Sequence, residues 1–523
     1  MVIIPRQFVN FNGCNLSENS VIEPLIRKKR KIRLEQPASL SATSKTDFET
    51  IVGLEVHAQL LTESKAFAPI STEFGGAPNT QVSPLCLGHP GTLPVPNENL
   101  IRYIIRLGLA TNCEIAEKSI FARKNYFYPD LPKGYQISQY ETPICYNGEV
   151  EIELEDGTTK RIGITRIHME EDAGKSIHDQ DPNNSLIDLN RAGVPLIEIV
   201  SEPDIRSPQE AYAYLTKIKQ LVQYLEICDG NMEEGSLRCD ANVSIRPKGQ
   251  NEFGTRTEVK NLNSFRNVER ALAYEVERQA ETILNGGEVV QQTLLWDANL
   301  LQTRQMRSKE EAHDYRYFPE PDIPPVVVTQ ELLKDIKAEL PELPHVRYQR
   351  FLKDLGLPEF DAKVITSDRY LADYFEEVLK KADASPKKVS NLIITEVRRV
   401  LNDQSIEIKD FTITTDQLAG LITLRESDKI SSSAMQTIFN EMLESDKDAE
   451  TLAGDLNLIQ VSDTGFLEPI VDEIIQANPD KVEKYRSGKK GLLGFFVGQV
   501  MQKSEGKANP QMVKDLITSR LEE

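Results

Sequence analysis

The run Ser236-Leu237-Arg238-Cys239-Asp240-Ala241-Asn242-Val243-Ser244-Ile245-Arg246 decides the fold class. Leu237, Cys239, Ala241, Val243 and Ile245 alternate with Arg238, Asp240, Asn242, Ser244 and Arg246. A two-residue period lays an apolar row on one face of a strand and a polar row on the other. The same period recurs over 162–170, where Ile164, Arg166, His168 and Glu170 share a face, and over 255–260, where Arg256, Glu258 and Lys260 do. Such one-sided strands need a cover, and helical patterns lie between them at 99–110, 208–225 (with Ser207 as N-cap) and 268–284. Strands and helices do not alternate strictly, so the expectation is an α+β fold rather than a doubly wound parallel sheet.

Outward from this region the texture changes at four places. The strand-rich part begins at Phe48 and reaches about residue 325, where Pro319-Glu320-Pro321-Asp322-Ile323-Pro324-Pro325 reads as a stiff, extended linker. Helical patterns follow at 330–338, 346–355, 367–382 and 385–402, with a further boundary near 412–415 and then more helices. The expected domains are therefore 48–328, 329–412 and 413–523, preceded by a leader, 1–47. That leader carries eight basic and four acidic side chains, including the run Arg27-Lys28-Lys29-Arg30-Lys31-Ile32-Arg33, and is expected to be disordered rather than a targeting signal. From Lys481 onward nine Lys and Arg face five Asp and Glu, a basic tail on a chain of 523 residues whose net charge is −20. That balance excludes a protein that coats nucleic acid over its whole surface, but not a local basic patch. No stretch approaches the ~18–20 consecutive apolar residues of a membrane span. The six cysteines form no Cys-x-x-Cys pair, so no zinc site is expected and a reducing compartment fits.

Three constellations could carry chemistry. Gly174-Lys175-Ser176 is not one of them, because Met169 stands where a phosphate-binding loop needs its first glycine. The first is carboxylate paired with histidine at strand spacing: Glu55 with His57, and His168 with Glu170, each pair on one side of a strand. Asp188, Glu198, Glu233, Glu234 and Asp240 lie in neighbouring runs. Several carboxylates on one face repel one another unless divalent cations sit between them. On spacing alone the plainer reading is favoured, surface strand residues in ordinary ion pairs with Arg166, Arg191, Arg238 or Lys260. The second runs from Arg123 to Gln136, where Arg123, Lys124 and Lys133 interleave with Tyr126, Phe127, Tyr128 and Tyr135. It suits a nucleotide base and its phosphates, and equally an aromatic strand edge before a turn. The third is Lys484, Arg486, Lys489 and Lys490 beside small glycines, which could approach a phosphate backbone or simply form a solvated basic helix end.

Taken together, the chain from about residue 48 closely resembles the B-subunit family of bacterial and organellar aspartyl/glutamyl-tRNA amidotransferases (GatB/GatE). The resemblance rests on Val52–His57, 123–139, Ile167-His168-Met169-Glu170-Glu171-Asp172-Ala173-Gly174-Lys175, 188–203, 232–242, 258–265 and 314–321. It implies a glutamine-synthetase-like cradle domain with a mainly antiparallel sheet, then two all-helical domains, the last shared with a small stand-alone family. It implies phosphorylation by ATP of the side-chain carboxylate of Glu-tRNA(Gln) or Asp-tRNA(Asn). Ammonia tunnelled from the amidase, or A, subunit then completes the amide, with the small C subunit clamping a heterotrimer together. By this resemblance Glu55, His57, Glu170, Glu198, Glu233 and Asp240 become Mg²⁺ ligands. Glu170 and Lys124 are the catalytic pair at the tunnel mouth; Arg123, Tyr126, Lys133, Arg238 and Lys260 bind ATP or substrate. Lys484, Arg486, Lys489 and Lys490 dock the tRNA elbow. Some members carry a zinc Cys-x-x-Cys near 84–88; here only Cys86 stands, so no zinc is expected. The expected location is the bacterial cytoplasm, with an organellar stroma or matrix as the lesser alternative. A tRNA-binding adaptor without phosphoryl transfer is the alternative function.

Overall fold

A computed structural model describes residues 2–5, 47–178, 180–308, 315–460, 464–504 and 508–522. The expected leader falls largely on 6–46, outside the described residues, while Val2–Pro5 forms a strand paired antiparallel with Asn184–Asp188, itself paired with Lys175–Ile177. The chain divides into two compact units, one ending at Leu343 and one beginning at Pro344.

The first unit is α+β, built on a twelve-stranded sheet. Its strands in chain order are β1 Phe48–Gln59, β2 Glu114–Ile115, β3 Ala122–Asn125, β4 Tyr135–Ser138, β5 Cys145–Glu153 and β6 Thr159–Glu171. Then come β7 Pro195–Ser201, β8 Leu237–Pro247, β9 Thr257–Leu262, β10 Gln292–Asp297, β11 Gln302–Ser308 and β12 Phe318–Pro319. The spatial order is β11-β10-β9-β8-β1-β7-β6-β4-β3-β12, with β5 on β6 and β2 on β5. Every pairing in this sheet is antiparallel except β9 with β10, which are joined through a helix.

The alternation read in the sequence determines which face is covered. On β1 Val52, Leu54, Val56 and Ala58 are fully buried, and on β8 Leu237, Cys239, Ala241, Val243 and Ile245 are. These rows, Ile245 aside, share one apolar core with helices α1 Glu98–Ala110, α2 Pro208–Tyr224 and α3 Phe265–Leu284. Ser207 and Ser264 start α2 and α3 by accepting from the backbone N–H groups of Glu210 and Asn267, which satisfies donors a helix start leaves unpaired. The proline-rich segment departs from expectation, because it does not hang free as a linker. Phe318–Pro319 pairs with β3, the Glu320 carboxylate is buried against Arg123, and Val326–Val327 pairs with Lys118–Ser119. Proline supplies no ladder donor, so it sits here on the sheet edge, where none is needed. The helix Gln330–Glu339 then closes the unit, with Glu339 pairing Arg102 and Arg106 of α1.

The second unit is helical. One apolar core draws on residues from Phe351 to Ala453 and another on residues from Leu467 to Leu521. The expected helix over 385–402 is present as Pro386–Leu392 and Arg398–Gln404, joined by a π-helical turn at Ile393–Val397. Among the described residues no helix is long and apolar enough to cross a membrane.

Candidate active site

Opposite the helix-covered face, the polar rows of six strands line up by register. Asp240 on β8 lies opposite Glu55 on β1, and Arg238 opposite His57. Glu198 on β7 lies opposite both His57 and His168 of β6. Glu170 lies opposite Ser138 on β4, and Gln136 of β4 opposite Lys124 on β3. The apolar partners of the same strands lock this register, since a slip of one residue would turn the whole row into the core.

Two groups of potential ligand atoms result, each with all atoms within 4.8 Å of one another: His57, Glu170 and Glu198, and beside them Glu55, Asp240 and Glu258. The two differ in electrostatics. In the first, His57 Nε2 is 3.4 Å from Glu198, and His168 Nε2 is 3.5 Å from Glu198 and 3.6 Å from Glu170. Lys124 Nζ lies 3.2 Å from Glu170 Oε1, which also accepts from the Ser138 hydroxyl at 2.9 Å, while Gln136 Nε2 donates to the other oxygen at 3.3 Å. Burial pushes the Glu170 carboxyl up, but the Lys124 ammonium and the two imidazoles outweigh it and hold the group well below the usual carboxylate range. Glu198 is likewise opposed by burial and held down to about 2 by His168 and His57. Burial draws the Lys124 ammonium down, yet Glu170 leaves its pKa raised. For His57, burial acts downward and the Glu198 contact upward, with a net rise.

The second group is carboxylate only. Burial, then the charges of Glu198, Asp240 and Glu258, push the Glu55 carboxyl up. Lys260 Nζ reaches Asp240 at 2.5 Å and Glu258 at 3.0 Å, and the Asn242 amide donates to Glu55 at 2.9 Å. Three carboxylate oxygens are the hard donors a dication takes, and the Lys260 ammonium already offsets part of their charge.

The other expected residues are spread more widely. Glu233 is exposed in the turn before β8, where its N–H donates to Asn231, and lies outside both groups. Arg123 pairs with buried Glu320 at 2.6 Å and with Asp322 at 3.1 Å; its guanidinium also lies over the Tyr135 ring. Lys133 pairs with Glu171, and Arg238 with Asp172 at 2.8 Å. The Tyr126 hydroxyl donates to Gln136 at 2.9 Å. In the second unit Lys484, Arg486, Lys489 and Lys490 are exposed; Arg486 donates to the Leu521 carbonyl, and Lys490 lies 3.5 Å from Glu522 and over the Tyr485 ring. Sequence reasoning did not single out Glu258, Gln136 or Ser138 as site residues. Glu258 stood on a polar strand face in plain view, but only the pairing of β9 with β8, which sets it opposite Asn242, brings it to Glu55 and Asp240.

Comparison with known proteins is consistent along nearly the whole chain. A family described as GatB/GatE catalytic domain matches residues 50–334, and one described as GatB domain matches residues 373–521. The chain is 53% identical over 493 residues to the B subunit of the aspartyl/glutamyl-tRNA(Asn/Gln) amidotransferase of Salinibacter ruber, covering 91% of this chain and 97% of that protein. It is 55% identical over 478 residues to the protein of the same name from Geobacter sulfurreducens, covering 91% and 99%. With that of Chlorobaculum tepidum it is 55% identical over 476 residues, covering 91% and 100%.

Proposed function

We propose a function on one premise: this chain belongs to the GatB/GatE family. It is the B subunit of a tRNA-dependent amidotransferase, a glutamine-using ligase that acts in several subunits. Its substrate is the side-chain carboxylate of Glu-tRNA(Gln), Asp-tRNA(Asn) or both. A carboxylate resists amidation because an oxide or hydroxide is a poor leaving group. Attack of its oxygen on the γ-phosphorus of ATP expels ADP and leaves an acyl phosphate; ammonia then attacks the acyl carbon and inorganic phosphate departs. Both steps bring anions together and need fixed positive charge.

The chain's own residues divide that work. Lys124, kept charged by Glu170, faces the negative charge that builds on the acyl and phosphoryl oxygens. Glu170, kept ionised, steadies the positive charge that develops on the ammonia nitrogen as the C–N bond forms, and with Lys124 makes a polar gate for it. Glu55, Asp240 and Glu258 would hold Mg²⁺, with His57 and Glu198 beside them; bound there, the ion would supply positive charge to offset that of the phosphate. Arg123, Tyr126, Lys133, Arg238 and Lys260 surround this face as ATP and substrate contacts. Ammonia comes from the glutaminase, or A, subunit, held by the small C subunit, in a bacterial cytoplasm. The tail domain, taken as 413–523, meets the tRNA elbow through Lys484, Arg486, Lys489 and Lys490. The reading includes no zinc.

The observation that carries it is the presence on one sheet face of two acid groups, Glu55–Asp240–Glu258 and His57–Glu170–Glu198, the second paired with Lys124. The test is reconstitution of the complex with Glu-tRNA(Gln), ATP, Mg²⁺ and glutamine. The expected products are Gln-tRNA(Gln), ADP and phosphate, with Glu170→Ala abolishing Gln-tRNA while the partner still hydrolyses glutamine. Full activity of Glu170→Ala would remove the site assignment. Absence of phosphate release from ATP in the presence of the charged tRNA would favour the adaptor instead.

A further inference from the structure

Next to the Lys124–Glu170 pair begins a file of tyrosines that this chemistry leaves unused. The Lys124 ammonium lies 5.2 Å from the centre of the Tyr315 ring. Tyr315 meets Tyr317 edge to face at 6.1 Å and 70°. Tyr317 lies parallel to Tyr140, with ring centres 4.2 Å apart and planes 6° apart. Tyr140 ends the file and is 49% exposed. The two residues before it are tied to the neighbouring strands. Ser138 donates to Glu170 at 2.9 Å, and the buried Gln139 side chain accepts from the Met169 N–H at 3.1 Å and donates to the Ser119 hydroxyl at 2.5 Å. Across the stack, the two residues after Tyr317 are β12, paired to Ala122 and Arg123 next to Lys124. A flat ring, backed by a second parallel ring and fixed to the strands that carry the reacting groups, is what a planar heterocycle needs in order to stack.

Both substrates of the proposed reaction bring such a heterocycle: ATP carries adenine, and so does the terminal nucleotide of the aminoacylated tRNA. We propose that Tyr140, backed by Tyr317, is the stacking platform for the adenine ring of one of these two substrates, and so sets the position of that substrate over Glu170 and Lys124. The inference rests on the function proposed above. It makes Tyr140 a positioning residue whose aromatic face matters and whose hydroxyl does not.

The experiment uses the assembled complex and steady-state transamidation, with ATP varied at saturating aminoacyl-tRNA and then the reverse. Tyr140→Ala is expected to raise one KM about tenfold, the scale of one base–aromatic stack, with a smaller fall in kcat. Tyr140→Phe and Tyr140→Trp restore that KM to within about twofold, since either ring preserves a π-face. A rise confined to ATP assigns the platform to the nucleotide; a rise confined to tRNA assigns it to the terminal adenosine. Unchanged KM values for both substrates in Tyr140→Ala would overturn the inference, as would failure of Phe and Trp to rescue. Glutamine hydrolysis uncoupled from amide formation at unchanged KM would also overturn it, because the ring would then face the ammonia-supplying partner. Absence of transamidation by the wild-type complex would instead strike the underlying reading, and the inference with it.

Discussion

At the scale of single residues, the two acid groups predict different responses. Glu258 belongs to the carboxylate-only group, with Lys260 as its contacting ammonium. Glu258→Gln keeps the shape and removes a charge, so the Mg²⁺ concentration for half-maximal activity is expected to rise roughly tenfold or more, the scale on which groups behind a metal's ligands already act. A magnesium titration checks it, and an unchanged midpoint would take Glu258 out of the proposed metal site. Lys124 belongs to the compensated group. Lys124→Met strands the buried Glu170 carboxylate without its ammonium, so a loss of about 3–5 kcal/mol in stability is expected, together with loss of amide formation. Lys124→Met with Glu170→Gln removes both charges and should regain most of that stability without regaining activity; denaturant titration of the single and double variants separates the two contributions.

At the scale of elements, the sheet's polar face depends on its hidden one. Ile197 and Ile199 of β7 are fully buried, and Glu198 between them points to the site. Ile199→Ala should cost about 2–5 kcal/mol by opening a cavity beneath the acid row, measured as a lower denaturation midpoint. In the helical unit, helix Pro344–Lys353 is tied to helix Arg369–Lys381 by Arg347 and Arg350 on Glu376. Burial pushes the Glu376 carboxyl up, but the two guanidinium groups prevail and its pKa is lowered. A lowered folded pKa contributes stability that is present above the ordinary carboxylate range and is lost as pH falls through the folded value. The stability gap between wild type and Glu376→Gln should therefore be widest near neutrality and close on acidification below about pH 4. A gap independent of pH would mean the pair contributes through packing alone. The elements themselves were legible in the sequence, because α2 and α3 carry serine caps and β8 alternates without a break. The sheet order was not, since two-residue alternation states which side of a strand is wet but not which strand lies beside it. Glu258 was missed for that reason. So was the edge position of 318–327, where proline reads locally as a spacer although Arg123 holds Glu320 from nearly two hundred residues away.

At the scale of the whole molecule, an acidic chain with a basic end predicts a binding energy concentrated in the tail. Lys484→Ala with Lys489→Ala should weaken tRNA binding and lower the slope of log affinity against log salt by roughly 1 for each phosphate no longer neutralised, with little change in the KM for ATP. Filter binding across a salt series measures it, and an unaltered slope would move the tRNA contact elsewhere. The net charge of −20 points to no such surface; only the local excess after Lys481 proposes one. The order of the sheet also bears on biogenesis. Its middle strand, Phe48–Gln59, is the first of the twelve to leave the ribosome, yet both of its neighbours, Pro195–Ser201 and Leu237–Pro247, are encoded far downstream. At ~5–20 residues per second, that strand waits roughly seven to thirty seconds with both hydrogen-bonding edges bare. The nascent polypeptide is thus expected to be a client for cotranslational chaperones until residues 195–247 have been made, and translation stalled between Gln59 and Pro195 should yield insoluble product.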